Sequence, residues 1–254
     1  MSTSVLPGLG NQARREAGSW WSTRRWWTQA ILWTVLTNAL LALVLWIVPR
    51  LESLTGTVEA SVEESAVQFA GMAGMLASVG AVVLCQGVLI DERRAGVLEW
   101  TMSKPVTREA LLAAKFVGQA GGLLVSLVLL PWVGVLVQLT LARGAVWPVE
   151  RWAGAVAMVA LLVLFHVALV LALSALTWSR AVVVAVPLAG IVGTDLLVAT
   201  VPGAFGVLPW SVARLTGPVL TDGVLAAPGP VISVVLSLIA SLAVAAWCLR
   251  RTEL

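Results

Sequence analysis

The sequence contains no tyrosine, one histidine, two cysteines and two lysines, and only 11% of its 254 residues are charged. Each shortage excludes something. Cys85 and Cys248 both fall in apolar runs and His166 stands alone, so no Cys/His metal cluster can be assembled. The two thiols read as small hydrophobic side chains. A phosphate-binding loop of the form G-x-x-x-x-G-K-[ST] is absent; Lys104 and Lys115 both lie in a single charged stretch. No nucleophile–base constellation is present, so no catalytic site is expected. The formal net charge of +3 is too small to point to nucleic acid. Soluble domains carry about 25% charged residues. A chain with so few, 59% hydrophobic residues and a mean hydropathy of +0.97, has more apolar surface than a water-facing fold can bury.

What is present is a series of long apolar runs. A helix crossing a bilayer needs roughly 20 of them, and six candidates reach that length: Ala30–Val48, Val67–Ile90, Leu111–Leu139, Gly154–Leu176, Val182–Val201 and Pro230–Leu249. The runs are continuous rather than alternating, which disfavours a β-barrel. The expected fold is an all-α polytopic membrane protein of six transmembrane helices. Pro49-Arg50 is expected to end the first span, and Pro131 to kink the third. Residues 1–29 read as a polar N-terminus and interfacial segment, and residues 30–254 as the transmembrane domain. The polar N-terminus, with no small-residue cleavage site after the first apolar run, argues against a cleavable signal peptide.

Lysine and arginine set the expected orientation. With the N-terminus inside, the cytoplasmic side holds twelve of the sixteen and the opposite side holds Arg50, Arg143, Arg151 and Arg214. Both termini are therefore expected in the cytoplasm, in a multi-pass protein of the cell's inner (plasma) membrane in contact with lipid. The stretch Trp20-Trp21-Ser22-Thr23-Arg24-Arg25-Trp26-Trp27 reads as an interfacial element. Between spans five and six, residues 202–229 are too broken by Pro and Gly to cross, and read as a short outer hairpin shielded by protein. Small residues Ala70, Gly74 and Ser78, and Gly118, Gly121, Gly122 and Ser126, allow close helix approach, either within the chain or between two copies.

Nine of the 29 charged residues crowd into Asp91–Lys115, between spans two and three. Ala95–Ser103 can form about two helical turns presenting Val97, Leu98, Trp100 and Met102. Lys104-Pro105 stops that helix, and Thr107 with Glu109 starts the next. Exposed apolar side chains clustered in an aqueous loop usually mark a contact. Within the membrane, Asp195, His166 and Asn38 are the polar candidates for a substrate path, each with a plainer role as a hydrogen-bonded packing residue.

These residues resemble the ABC-2 type permeases, the membrane subunits of ATP-driven exporters. The similarity rests on Glu92, Arg93, Gly96, Glu99, Pro105, Arg108, Leu111 and Lys115, which follow the family's acidic–basic–x–x–Gly–x–x–Glu segment with its later Pro, Arg and Lys. It extends to the six-span layout, the basic aromatic N-terminal segment, the broken outer hairpin and Arg250-Arg251. The resemblance implies that the 91–110 loop carries a coupling helix that seats in a separate ABC ATPase subunit, with Arg94, Gly96, Val97, Leu98, Glu99, Trp100 and Met102 at the contact. It implies no cofactor in this chain, ATP and Mg being bound by the partner ATPase. It also implies a second permease copy, as a homodimer or half of a heterodimer. An amphiphilic or hydrophobic cargo (peptide, drug or lipid-like) suits the apolar interior. The alternatives are a permease that transmits force to another membrane or periplasmic machine, and a secondary carrier using Asp195.

Overall fold

The computed structural model describes residues 8–55, 61–102 and 106–251, and all regular structure among them is helical. Helix α1 (Leu9–Trp21) is followed, after a three-residue break, by α2 (Arg25–Leu51). Then come α3 (Val62–Cys85), two short helices α4 (Ile90–Arg94) and α5 (Val97–Met102), and the long α6 (Arg108–Arg143). The remainder is α7 (Val149–Leu176), α8 (Arg180–Thr200), α9 (Val212–Asp222) and α10 (Gly229–Arg251). Among the described residues six segments are long and apolar enough to cross a membrane: α2, the α3–α4 segment, α6, α7, α8 and α10.

The six divide into two layers. Between 50% and 61% of the apolar window is buried in α3–α4, α6 and α7, against 22% in α2, α8 and α10. The first three make the core, where Phe69, Leu123, Trp132 and Val163 are closed off from surroundings. The other three present Ile31, Val35, Val192, Leu196, Leu236 and Ile239 outward. An apolar outer face around a packed interior is the arrangement a hydrocarbon solvent requires. The chain is a multi-pass membrane protein.

One expectation about proline changes. The first span does not end at Pro49; helix continues through Thr55. A widened turn at Leu43–Ile47, with i→i+5 geometry, lies just before it. The third span likewise widens at Leu124–Leu129, immediately before Pro131. Proline cannot donate to the carbonyl four residues back, and a wider turn absorbs that loss without ending the helix. The second span stops at Cys85, not Ile90, and turns at residues 86–89 separate it from α4.

The small residues are used within the chain. A Cβ on Gly74 would touch Ala213 of α9 at 3.4 Å, and one on Gly217 would meet the Val67 backbone at 3.0 Å. On α6, a Cβ at Gly118 would lie 2.6 Å from Glu16 and one at Gly122 would lie 2.4 Å from Trp20. The i, i+4 glycine pair of α6 thus receives an i, i+4 pair of α1. Trp20 is fully buried there, its indole donating to Gln119 Oε1 at 3.1 Å. It is a core residue of the α1–α6 contact, not the headgroup-layer aromatic that its neighbours suggested.

Residues 202–229 hold more than a hairpin. Short 3₁₀ turns at Pro202–Gly206 and Pro209–Ser211 lead into the eleven-residue α9, which ends at Gly223 with φ +72. Val212, Leu215, Thr216, Val219 and Leu220 are buried against α3 and α7. Protein therefore shields this backbone at membrane depth, as its interruption demands.

Candidate functional site: the coupling stub and its ionic joint

The start of α6, the ends of α3 and α7 and the C-terminal end of α10 meet at one end of the bundle, called here the terminal face. The stub α4–α5 closes it. Ala95 and Gly96 donate backbone hydrogen bonds to Asp91 and Arg93 carbonyls at 3.0 and 3.1 Å, ending α4. Gly96 takes φ +67, a conformation that strains any residue with a Cβ, and the chain reverses into α5.

Helix α5 has an anchored side and an open side. Leu98 is 0% exposed and Thr101 1%. The Thr101 hydroxyl accepts from Arg15 of α1 at 3.3 Å and donates to the Val97 carbonyl at 2.7 Å. Leu98 was expected at the partner contact; it is instead buried and seats the stub. Val97 is half-buried. Trp100 is 59% exposed beside a groove formed with Asn11, Gln12 and Val106. Arg94 is exposed and donates to the Trp178 carbonyl at 3.2 Å. The side chains of Glu99 and Met102, and the Lys104-Pro105 break, lie outside what is described. Thr107 caps α6, accepting from the Ala110 amide at 3.2 Å.

Behind the stub sits a buried ion cluster. Lys115 of α6 is 1% exposed, and its Nζ lies 3.0 Å from Glu16 Oε1 and 2.7 Å from Glu92 Oε2. Arg15 approaches Glu92 Oε1 at 3.8 Å. One ammonium therefore ties α1, α4 and α6 together. A buried ion is tolerated only when its attraction to partners offsets lost hydration, which two carboxylates on one ammonium accomplish.

The remaining loop charges fasten helix ends. Arg93, 6% exposed, donates to the Ser174 carbonyl at 2.9 Å and to Ala175 at 3.4 Å, capping the C-terminus of α7. Arg108 donates to the Leu249 and Arg250 carbonyls at the end of α10. Cations at helix C-termini meet both orphan carbonyls and the negative end of the macrodipole. Arg180 pairs with Asp91, and Arg250 with Glu109 at 2.6 Å. Glu16 was not singled out from the sequence. Arg93 and Lys115 were, but only as members of a pattern.

A family model described as ABC-2 family transporter protein matches residues 24–217. The chain belongs to the ABC-2 transporter family. A search of curated proteins gives no match. Membership makes the chain an ABC permease, a membrane transport component rather than a catalytic one.

The three polar residues expected on a substrate path each have partners within this ABC-2 permease. Asn38 joins α2 to α6: its Nδ2 donates to the Thr34 and Pro131 carbonyls at 2.8 and 3.1 Å, and its Oδ1 accepts from Gln138 at 2.6 Å. His166 is fully buried in α7. Its Nδ1 lies 2.8 Å from the Leu162 carbonyl, and its Nε2 faces the Trp210 indole N–H at 3.1 Å. The carbonyl requires a donor at Nδ1 and the indole requires an acceptor at Nε2, so the ring is held neutral with both nitrogens engaged. Trp210 in turn fits over Gly190, where a Cβ would lie 2.3 Å from the indole. Asp195 of α8 pairs with Arg214 of α9, Nε to Oδ1 at 2.8 Å. Among the described residues no three His, Cys, Asp or Glu side chains group to hold a metal.

The Asp195–Arg214 pair is 46% and 38% exposed at its side chains. Asp195→Asn retains an acceptor for Arg214 and is expected to leave the fold and transport intact. Thermal unfolding in detergent together with a transport assay checks this. A folded but inactive variant would instead place the carboxylate on a proton or substrate route.

Proposed function

We propose that this permease is the membrane half of an ATP-driven exporter, and that α5 docks a separate ATPase subunit which binds ATP and Mg. The supporting observation is the two-sidedness of α5. Its inner side is fixed by Leu98 and Thr101, while Trp100 projects outward. A helix held this way cannot move alone. Force applied at Trp100 passes through Glu92 and Lys115 to α6, through Arg93 to α7, and through Arg15 and Glu16 to α1. Arg108 carries it on to α10.

In this reading the terminal face is cytoplasmic. Two copies of the permease, identical or related, assemble with two ATPases, and ATP-driven closure of the ATPases rocks them. The apolar interior suits an amphiphilic or hydrophobic cargo such as a peptide, drug or lipid-like molecule. Orientation has its own test. After replacement of the two buried cysteines Cys85 and Cys248, a cysteine at Glu63 should react with an impermeant thiol reagent in intact cells. Reaction only after the membrane is broken reverses the topology. Function is tested by reconstitution with an ABC ATPase that co-purifies with it: ATP-dependent efflux of a hydrophobic dye is expected, and ATP-independent flux contradicts an exporter.

A further inference from the structure

A polar cavity of about 460 Å³ lies on the terminal face between α1, the end of α3 and the start of α8. Its position is that of a headgroup. One wall is Val83, Leu84 and Val88, where α3 leaves the apolar layer, and Val83 is 46% exposed on the outer surface of that helix. Trp21 and Trp27, both more than 40% exposed, flank the same level. The opposite wall is charged. Four cations, Arg15, Arg25, Lys115 and Arg180, face three carboxylates, Glu16, Asp91 and Glu92. The carboxylates are occupied, Glu16 and Glu92 by Lys115 and Asp91 by Arg180. The balance is one positive charge: Arg15 and Arg25 supply two, and the Lys115 ammonium shared by two carboxylates falls one short.

Both arginines keep donors for a ligand. Arg25 stacks over Trp20 at 4.4 Å and gives only Nη2 to the Leu84 carbonyl at 3.0 Å. Arg15 gives Nη1 to Thr101, and its Nη2 lies 3.8 Å from Glu92, beyond a direct hydrogen bond. Guanidinium forks favour multi-oxygen anions, and a single net positive charge matches a singly charged one. A phosphate diester has both properties. The adjoining apolar surface of α3 suits acyl chains leaving the cavity.

We propose that the cavity binds the phosphate of a membrane phospholipid, held by Arg15 and Arg25 against the Lys115 cluster. The lipid would then brace α1 against α3, next to the joint behind the stub. The proposal is independent of the ATPase contact, because lipid retention is measured on the permease alone.

The test uses the purified full chain exchanged with palmitoyl-oleoyl phosphatidylglycerol, with diacylglycerol of the same chains, or with inorganic phosphate, and native mass spectrometry as the readout. Phosphatidylglycerol is expected to be retained in preference to diacylglycerol. Arg15→Gln with Arg25→Gln should weaken retention about a hundredfold, the scale of two lost charged hydrogen bonds. Ser19 is exposed on the cavity wall and bonds within its own helix to the Glu16 carbonyl at 2.6 Å; Ser19→Glu should weaken retention and carries the test if the arginine variant fails to fold. Equal retention of both lipids, or parental retention by Ser19→Glu, overturns the proposal. Displacement of the lipid by millimolar inorganic phosphate overturns the lipid assignment in favour of a soluble anion.

Discussion

Lys115→Met is expected to be the most damaging single substitution at the terminal face. The parent ammonium is 1% exposed and is shared by Glu16 at 3.0 Å and Glu92 at 2.7 Å. Its removal leaves Glu16, 7% exposed, and Glu92, 21% exposed, without the counter-ion they share. Breaking a buried pair from one side costs about 3–5 kcal/mol. Thermal or denaturant unfolding of the isolated permease in detergent measures this. The control removes the charge altogether: Lys115→Met with Glu16→Gln and Glu92→Gln should regain most of the loss, since buried ion clusters add little over neutral packing. The two variants separate stability from transmission. If the cluster links α5 to α6 and α1, the triple variant folds and binds the ATPase, yet couples ATP hydrolysis to transport poorly. A Lys115→Met protein within about 1 kcal/mol of the parent would mean that the carboxylates simply take up protons, as buried charges can, and that the joint is not rigid.

The sequence revealed the six spans because continuous apolar runs are local signals. All six reappear, with ends displaced where something other than hydrophobicity sets them. Pro49 was read as a terminator because its missing N–H breaks an ordinary turn; the widened turn at Leu43–Ile47 has no signature in composition. The Thr107 cap was legible, since it depends on residues three positions away, but the reversal at Gly96 was not: Ala95–Ser103 reads as one helix, and the structure starts it at Val97, after the turn. The ion cluster was not. Glu16 and Lys115 are 99 positions apart, and charge near a span end reads as orientation before it reads as a contact. The one available clue was geometric: Gly118 and Gly122 share a spacing with Glu16 and Trp20. Asp195 was noticed for its cost in the membrane, but its partner Arg214 lay across the interrupted stretch, where no periodicity indicated which way α9 would run.

Trp100→Ala is expected to weaken ATPase binding by about 2 kcal/mol, roughly 30-fold in affinity, while leaving the permease folded. The expectation follows from where the ring is. Trp100 is 59% exposed, whereas Leu98 two residues away is completely enclosed. Large aromatic side chains projecting from a rigid element are the usual anchors of a protein contact. The two residues therefore predict opposite defects. Leu98→Ala should lower the melting temperature by loosening the seat of α5, a core truncation of about 2–5 kcal/mol when measured on the isolated chain. Trp100→Ala should barely move the melting temperature and should instead reduce ATPase co-purification and ATP-driven transport together. Gly96→Val gives a third signature, because its φ of +67 disfavours a branched residue and would re-aim α5 with Trp100 still present. Full complex yield and full transport from Trp100→Ala would place the indole in the headgroup layer. The ATPase would then have to dock elsewhere on the terminal face.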